Sequence, residues 1–297
     1  MKKSLSTAAQ AVKKQRRRNR LINALIVLLL LALVAGGLVM NIRYNRQNYT
    51  VEFYQMESKK LTHSIRVAFL TDVHLREYGK NNEDLVQEVK NLAPDIILLG
   101  GDMVTAGKDG YDTALKLCER LAQLAPTYGV LGNHEDVKIF QQGDTSLVSR
   151  FEATGVHILR NEKAEIALYD NVISILGVEG SADNFELYGA KTFMDAQEGN
   201  DDSDFRICVT HVPYLLATKL ADYSFELGLS GHTHGGLIRL PKIGGLYSAE
   251  EGFLPKYVGG QYTLKNKAEM IVSRGLGDST RIPRINNIPE LSIIDID

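Results

Sequence analysis

Cysteine is almost missing from this chain: Cys118 and Cys208 are the only two in 297 residues. Two thiols cannot build a disulfide framework, and nothing in their setting demands even one bridge. Cys118 falls among Leu115, Leu117, Leu121 and Leu124, and Cys208 falls in the apolar run RICVTH, so both read as small core residues. Acid is missing from residues 1–20, where Lys2, Lys3, Lys13, Lys14, Arg16, Arg17, Arg18 and Arg20 sum to +8. The net charge is −2, so the rest of the chain carries −10. A body that acidic is a poor binder of nucleic acid, whose affinity rests on cations neutralising phosphates, so no nucleic-acid partner is expected. Internal repeats and low-complexity tracts are absent too. With 44% apolar and 24% charged residues, the composition suits a packed globular domain.

Charge of either sign is missing from residues 21–40, LINALIVLLLLALVAGGLVM. As a helix these residues span ~30 Å, the thickness of a bilayer's hydrocarbon core. The basic cluster before them and the few charges after, Arg43 and Arg46, predict a cytoplasmic N-terminus and an extracytoplasmic body under the positive-inside rule. The alternative is export after signal cleavage: Val34 and Gly36 offer small residues for a cut, and Arg17-Arg18 hints at a twin-arginine signal. The expected organisation is a basic cytoplasmic arm over 1–20, a transmembrane anchor over 21–40, a connector over 41–62 and one domain over 63–297. Within the connector, YTVEFYQM has the pattern of an edge strand.

Short apolar runs alternate with helical spacing in the first half of the body. RVAFLT (66–71), DIILLG (95–100) and YGVLG (128–132) read as buried strands. NNEDLVQEVKNL and YDTALKLCERLAQL between them read as helices, with Asn82 and Asp112 as N-caps. That alternation is the signature of a parallel sheet. The second half is richer in strands. EIALYD and VISILGV flank Asn171 as a hairpin, RICVTH, FELGLSG, EMIVSR and LSIIDID follow, and DAQEGNDDSD reads as an exposed acidic loop. The expected fold class is α/β: a layered β-sandwich with flanking helices, preceded by one transmembrane helix.

The ends of these runs carry the chemistry. AFLTDVHL closes on Asp72 and His74, LLGGDMV on Asp102, VLGNHED on Asn133 and His134, CVTHVP on His211, and GLSGHTHGG on His232 and His234. In an open α/β sheet the carboxyl ends of strands form the binding edge. Five of the seven histidines lie there; His63 and His157 lack such a setting and read as surface residues. In an extended segment residues i and i+2 point the same way, so Asp72 with His74, and His232 with His234, are expected to face one site. Such pairs suit two metals roughly 3.5–4 Å apart. The Asp102 carboxylate, with two oxygens, can bridge them.

The ordered series D-x-H, G-D, G-N-H-[DE], H, G-H-x-H resembles the calcineurin-like metallophosphoesterases over most of 66–236. The resemblance implies one divalent metal held by Asp72, His74, Asp102 and His234, and a second held by Asp102, Asn133, His211 and His232. It implies His134 as a catalytic acid beside the leaving group. Imidazole and carboxylate ligands without thiolate suit manganese, iron or zinc. Two such ions, two carboxylates and a bridging hydroxide leave the site at about +1, which favours a phosphate anion. Family members that dephosphorylate proteins read G-D-x-x-D-R, whereas GDMVTAG places Thr105 at the second Asp. That departure argues against a protein phosphatase, and leaves Glu135 or Asp136 to orient His134, or simply on the surface.

Past the histidines, GGLIRLPKIGGLYSAEEGFLPKYVGG and SRGLGDSTRIPRINNIPE resemble the membrane-anchored branch of the family, which includes enzymes similar to UDP-2,3-diacylglucosamine pyrophosphatases. The resemblance implies a phosphodiester or pyrophosphate substrate, lipid-linked or from the envelope, met by an apolar groove and by Arg274, Arg281, Arg284 and Asn286. A structural hairpin with solvated arginines is the alternative for these segments. For the whole protein the alternatives are an exported phosphomonoesterase and a non-catalytic metal-binding relic of the fold.

Overall fold

The computed structural model of the chain describes residues 2–187, 189–199, 204–248, 251–280 and 282–297, with side chains from residue 12 onward. It divides into two compact units, one ending at Tyr44 and one spanning Asn45–Asp297. The first is helical. Helix α1 (Lys2–Gln47) runs unbroken, and its side chains from 12 to 40 are exposed. It is long and apolar enough to cross a membrane, a test that a signal sequence also passes. The helix continues seven residues past the expected end of the anchor at residue 40. Residues 38–47 contain neither proline nor glycine, so nothing stops the helix there.

The folded body starts at Asn45, earlier than the expected residue 63. Its first strand, β1 (Thr50–Met56), is the edge strand that YTVEFYQM suggested. One six-stranded sheet runs in the order β1, β16 (Glu290–Ile296), β2 (Ile65–Leu70), β3 (Ile96–Leu99), β4 (Thr127–Gly129), β5 (His157–Ile158). Strands β2 to β5 are mutually parallel, and β16 runs antiparallel to β2. The second sheet runs β14 (Gly260–Thr263), β15 (Glu269–Val272), β9 (Leu227–Ser230), β8 (Phe205–Thr210), β7 (Asn171–Val178), β6 (Glu162–Leu168). Its centre, β15 to β7, is parallel, and β6–β7 is the expected hairpin.

Period-2 burial assigns each face. Val67 and Phe69 of β2 point between the sheets, where they meet Ile96, Leu98, Ile175, Ile207, Val209 and Leu229. Ala68 and Leu70 point outward onto helices α2 (Glu83–Leu92), α3 (Asp112–Ala122) and α5 (Leu147–Glu152). Helix α3 buries Ala114, Leu117, Cys118 and Leu121, the i, i+3, i+4, i+7 stripe of an amphipathic helix. On the far side Leu176, Val178, Cys208 and Met270 meet α6 (Ala190–Gln197) and α7 (Pro213–Thr218). The result is helix, sheet, sheet, helix, and truncating a core leucine such as Leu117 to alanine is expected to cost about 2–5 kcal/mol.

Three local readings change. Asn82 stands at the start of α2, but its side chain accepts the Tyr78 N–H and donates to the Arg76 carbonyl instead of capping. Asp112 is the first helical residue of α3, with Tyr111 before it. The acidic loop begins later than expected, because Asp195 and Gln197 belong to α6; residues 200–203 lie outside the described set.

Candidate metal centre

The loops after β2, β3 and β4 of one sheet and after β8 and β9 of the other meet on one edge. Backbone bonds continue the pairing past the strands: Asp72 N–H donates to Gly101 O (2.9 Å), His74 N–H to Asp102 O (3.0 Å) and Gly231 N–H to His211 O (3.1 Å). The side chains do not converge by strand alternation, as the i, i+2 spacing suggested. Asp72, His74, Asp102, His232 and His234 all have left-handed backbone, with φ of 53°, 51°, 54°, 68° and 48°. Each strand turns sharply at its end and throws its polar side chain across the edge. Left-handed backbone costs a non-glycine residue roughly 1–2 kcal/mol, so five such positions persist only because surrounding contacts over-determine them.

Two clusters of donor atoms result. In one, His74 Nε2 and His234 Nε2 lie 3.1 Å apart, with Asp72 Oδ1 3.4 Å from the latter. In the other, His211 Nε2 lies 3.1 Å from both Asn133 Oδ1 and His232 Nδ1. Two ligands bound ~2.1 Å from one ion stand about 3.0–3.4 Å apart at octahedral to tetrahedral angles. Asp102 joins the clusters through one oxygen: Oδ2 lies 3.5 Å from His74 Nε2 and 3.3 Å from His211 Nε2. Its Oδ1 is occupied, accepting the His134 backbone N–H at 2.8 Å. Only Oδ2 therefore faces both clusters, where the sequence suggested that both oxygens would.

The far nitrogens set the tautomers. His74 Nδ1 faces Val104 O (3.2 Å) and His211 Nδ1 faces Gly100 O (2.7 Å). A carbonyl can only accept, so each Nδ1 carries a proton; the Nε2 of the neutral His74 ring presents a lone pair to the centre, and that of His211 carries a second proton until a cation displaces it. His134 is the reverse. Its Nδ1 accepts the Ala106 backbone N–H at 2.9 Å, which leaves the proton of the neutral ring on Nε2, 3.9 Å from Asp102 Oδ2. Neither Glu135 nor Asp136 orients His134; a backbone amide does.

Glu135 has a different task, which the sequence did not show. Fully buried, its carboxylate accepts the N–H groups of Asp102 (2.8 Å), Gly132 (2.9 Å) and Val104 (3.0 Å). It thereby ties the loop after β3 to the loop after β4. Asn287 is a second hidden support, donating to His234 O (2.7 Å) and Leu237 O (3.0 Å). Gly231 is required by close approach: a Cβ there would overlap the Asp72 carboxylate and the Thr71 hydroxyl.

Two of the residues expected to meet substrate, Arg284 and Arg274, are held by the protein's own groups. Arg284 is fully buried, with Nε on Asp278 (2.6 Å) and Nη2 on Gly277 O (2.7 Å) and 3.2 Å from His234 Nδ1. Its donors are spent on Asp278, on the His234 ring and on the carbonyls of His234, Gly275 and Gly277, behind the cluster rather than on an anion in front of it. Arg274 is neutralised between Glu290 (2.7 Å) and Glu52 (2.5 Å). Asn286 is exposed in left-handed backbone. Arg281 lies outside the described residues.

Burial and charge prepare the cluster for cations. Burial pushes His74 down to about 3 and His232 down to about 4, and lowers His234 as well, so these imidazoles are neutral. Burial also opposes charge on His211, but Asp102 and Asp72 outweigh it and raise the ring to about 10. Burial opposes charge on Asp72 and Asp102 too, yet the imidazoles around them, His211 included, hold both carboxyls below the usual range. Two buried carboxylates facing a single imidazolium favour added positive charge. The donor set of imidazole, carboxylate and amide oxygen fits divalent metals, and Asp72, His74 and His234, like Asp102, His211 and His232, are each spaced to hold an ion.

A two-sheet α/β sandwich with clustered His and Asp at its strand ends defines a metal-dependent hydrolase of phosphoric esters. Residues 65–236 match the calcineurin-like phosphoesterase family, and the chain belongs to it. An uncharacterised metallophosphoesterase of Aquifex aeolicus is 30% identical over 266 residues, covering 83% of this chain and 91% of its own. The uncharacterised protein YpbG of Bacillus subtilis is 29% identical over 237 residues, covering 78% and 81%. Phosphodiesterase YaeI of Escherichia coli is 25% identical over 235 residues, covering 78% and 82%.

Proposed function

We propose that this protein is a membrane-anchored phosphodiesterase or pyrophosphatase with two metal ions, acting outside the cytoplasm on lipid-linked or envelope phosphoesters. This reading allies it with the UDP-2,3-diacylglucosamine pyrophosphatase-like branch. One observation carries the chemistry: Asp102 Oδ2 lies between His74 Nε2 and His211 Nε2, with His134 Nε2 at its side. Asp72, His74, Asp102 and His234 would hold one ion, and Asp102, Asn133, His211 and His232 the other. Manganese, iron or zinc bound there supplies hydroxide at neutral pH and offsets negative charge on the phosphoryl oxygens. His134, with its one proton on Nε2, would donate a hydrogen bond from there to the departing oxygen and offset its developing charge, and water would supply the proton that oxygen takes up. The Ala106 amide fixes which nitrogen keeps the His134 proton. The membrane reading is supported by the uncharged run at 21–40 and the eight cations before it. Diester specificity has the support of YaeI, a relative named as a phosphodiesterase.

The test is turnover by the full chain loaded with manganese, iron or zinc. Bis(p-nitrophenyl) phosphate is expected to be hydrolysed well ahead of p-nitrophenyl phosphate, and a panel of lipid-linked and wall-derived phosphoesters then ranks natural substrates. Preference for the monoester would make this an exported phosphomonoesterase. No metal-dependent turnover of either ester would make it a non-catalytic relic.

A further inference from the structure

Asn45 is the first residue of the folded body and lies in the last turn of α1. It is polar, yet only 3% exposed. A helix leaves its last four carbonyls without intrahelical donors. The Asn45 carbonyl is one of them, and it accepts Arg76 Nη2 at 3.3 Å. The Asn45 side chain reaches across 239 positions and donates to the Arg284 backbone carbonyl at 3.2 Å. Arg76 and Arg284 then meet on one carboxylate, Asp278, at 3.5 Å and 2.6 Å. Segments far apart in sequence thus close one ring of polar contacts, and burial makes its members costly to leave unpaired.

The ring sits behind one half of the metal centre. Between His234 and Arg284 the chain forms two ribbons, β10 (Arg239–Leu240) with β11 (Gly244–Gly245) and β12 (Tyr247–Ser248) with β13 (Gly252–Phe253), then β14 and β15, before it returns. On its return, Arg284 Nη2 donates to Gly277 O at 2.7 Å and lies 3.2 Å from His234 Nδ1. Gly277 O is itself 3.2 Å from that nitrogen. Either tautomer of the His234 ring finds a partner there: the carbonyl for a proton on Nδ1, or the guanidinium for its lone pair. The imidazole cannot swing without losing one of these contacts. The same loop braces the neighbouring ligand. Gly277 N–H donates to Asp72 O at 2.6 Å and Leu276 N–H to Thr71 O at 3.0 Å, and a Cβ on Gly275 would overlap the Asp72 side chain. His211, in the other cluster, rests instead on Gly100 O.

We propose that Asn45 and Arg284 are positioning residues: by closing this ring they hold His234 and Asp72, and so set the affinity for one ion of the pair. The proposal rests on the two-metal reading above and adds which remote residues govern one of its sites.

The experiment titrates manganese into the metal-free full chain by calorimetry. Wild type is expected to bind two ions. Arg284→Lys keeps the charge but not the fork, and is expected to raise one dissociation constant about 10–100-fold, as loss of a ligand's outer partner does. Asn45→Leu is similar in shape but lacks the donor. It is expected to raise the same constant about three- to tenfold, the yield of one hydrogen bond, and to leave the other within about twofold. Asn133→Ala, at the other cluster, is expected to raise the other constant, which identifies the two ions. Arg46→Ala, the exposed next residue of α1, is expected to change neither. Because the defect is one of affinity, saturating manganese should return the kcat of Asn45→Leu on bis(p-nitrophenyl) phosphate to the wild-type value. Should Arg284→Lys fail to fold, Asn45→Leu decides. Equal weakening of both ions in Asn45→Leu, weakening of neither, or weakening of the ion that Asn133→Ala affects overturns the positioning role while the two-metal reading stands. A kcat deficit that saturating manganese leaves in place overturns it too. A wild-type chain that takes up fewer than two ions overturns that reading and this inference with it.

Discussion

Replacing Glu135 by glutamine tests whether this buried carboxylate sets the geometry of the centre. It accepts three backbone N–H groups, two on Oε2 from Asp102 and Gly132 and one on Oε1 from Val104. Glutamine keeps an oxygen for the pair but must turn its NH₂ toward the Val104 N–H. Burial, and then the nearby Asp102, raise Glu135 to about 7, so the acceptor is part-ionised at neutral pH; one bond is lost, worth about 1–2 kcal/mol, and a buried donor is left facing another donor, which adds about 1–3 kcal/mol. Partial relaxation reduces the total to about 2–4 kcal/mol, equivalent to roughly 5–15 °C in Tm for a domain of this size. The displaced atoms matter for catalysis. Val104 O holds the His74 ring at 3.2 Å, and the Asp102 backbone N–H is itself one of the three donors. Misplacing groups at a reacting centre by about 1 Å lowers rates ~10²-fold. Glu135→Gln is therefore expected to lower kcat on bis(p-nitrophenyl) phosphate about 10²-fold, to weaken metal retention under dialysis, and to lower Tm. Thermal melts, metal analysis and steady-state kinetics on the full chain read all three. A variant within twofold of wild-type kcat and 2 °C of its Tm would refute the reasoning.

His134→Ala is expected to reduce kcat by about 10²–10⁴, with bound metal unchanged by elemental analysis; loss of metal alongside activity would place His134 among the ligands instead. Gly231→Ala drives a methyl into the Asp72 carboxylate and the Thr71 hydroxyl, so metal content should drop by about one ion per chain, and full occupancy would show that the loop yields. Cys118 and Cys208 are free, and burial raises both thiols far above their ordinary range. A thiol reagent should therefore find none in the native chain and both in denaturant, and fast native labelling would contradict the packing described.

Much of the architecture could be read before any coordinates. RVAFLT and DIILLG are too short and too uniformly apolar for helices, and they form neighbouring strands that run parallel to each other and are buried on two faces. The LKLCERL spacing marks one stripe, and that stripe packs. The histidine-bearing loops were legible because each apolar run stops on a metal-binding residue type. Misreadings arose where a local pattern has more than one physical solution. An i, i+2 pair can converge by alternation or by left-handed turns, and Asp72 and His74 use the second. A glutamate beside a catalytic histidine can orient it or brace a neighbouring loop, and Glu135 braces. An arginine near a phosphate site can face the anion or sit behind a ligand, and Arg284 sits behind.

Composition and order along the chain determined which residue types stand at the strand ends, that the body is a layered α/β domain, and that an uncharged helix precedes it. Those properties follow from periodicity and hydrophobicity, which are local. Which oxygen of Asp102 lies between the imidazoles, which nitrogen of each histidine carries a proton, and which cation is spent on carbonyls were decided only in three dimensions. These depend on partners such as Val104 with His74, brought together by neighbouring strands of one sheet, and Gly100 with His211, brought together by the two sheets closing face to face. Hydrogen bonds act over about 3 Å, and no reading along the chain supplies that distance.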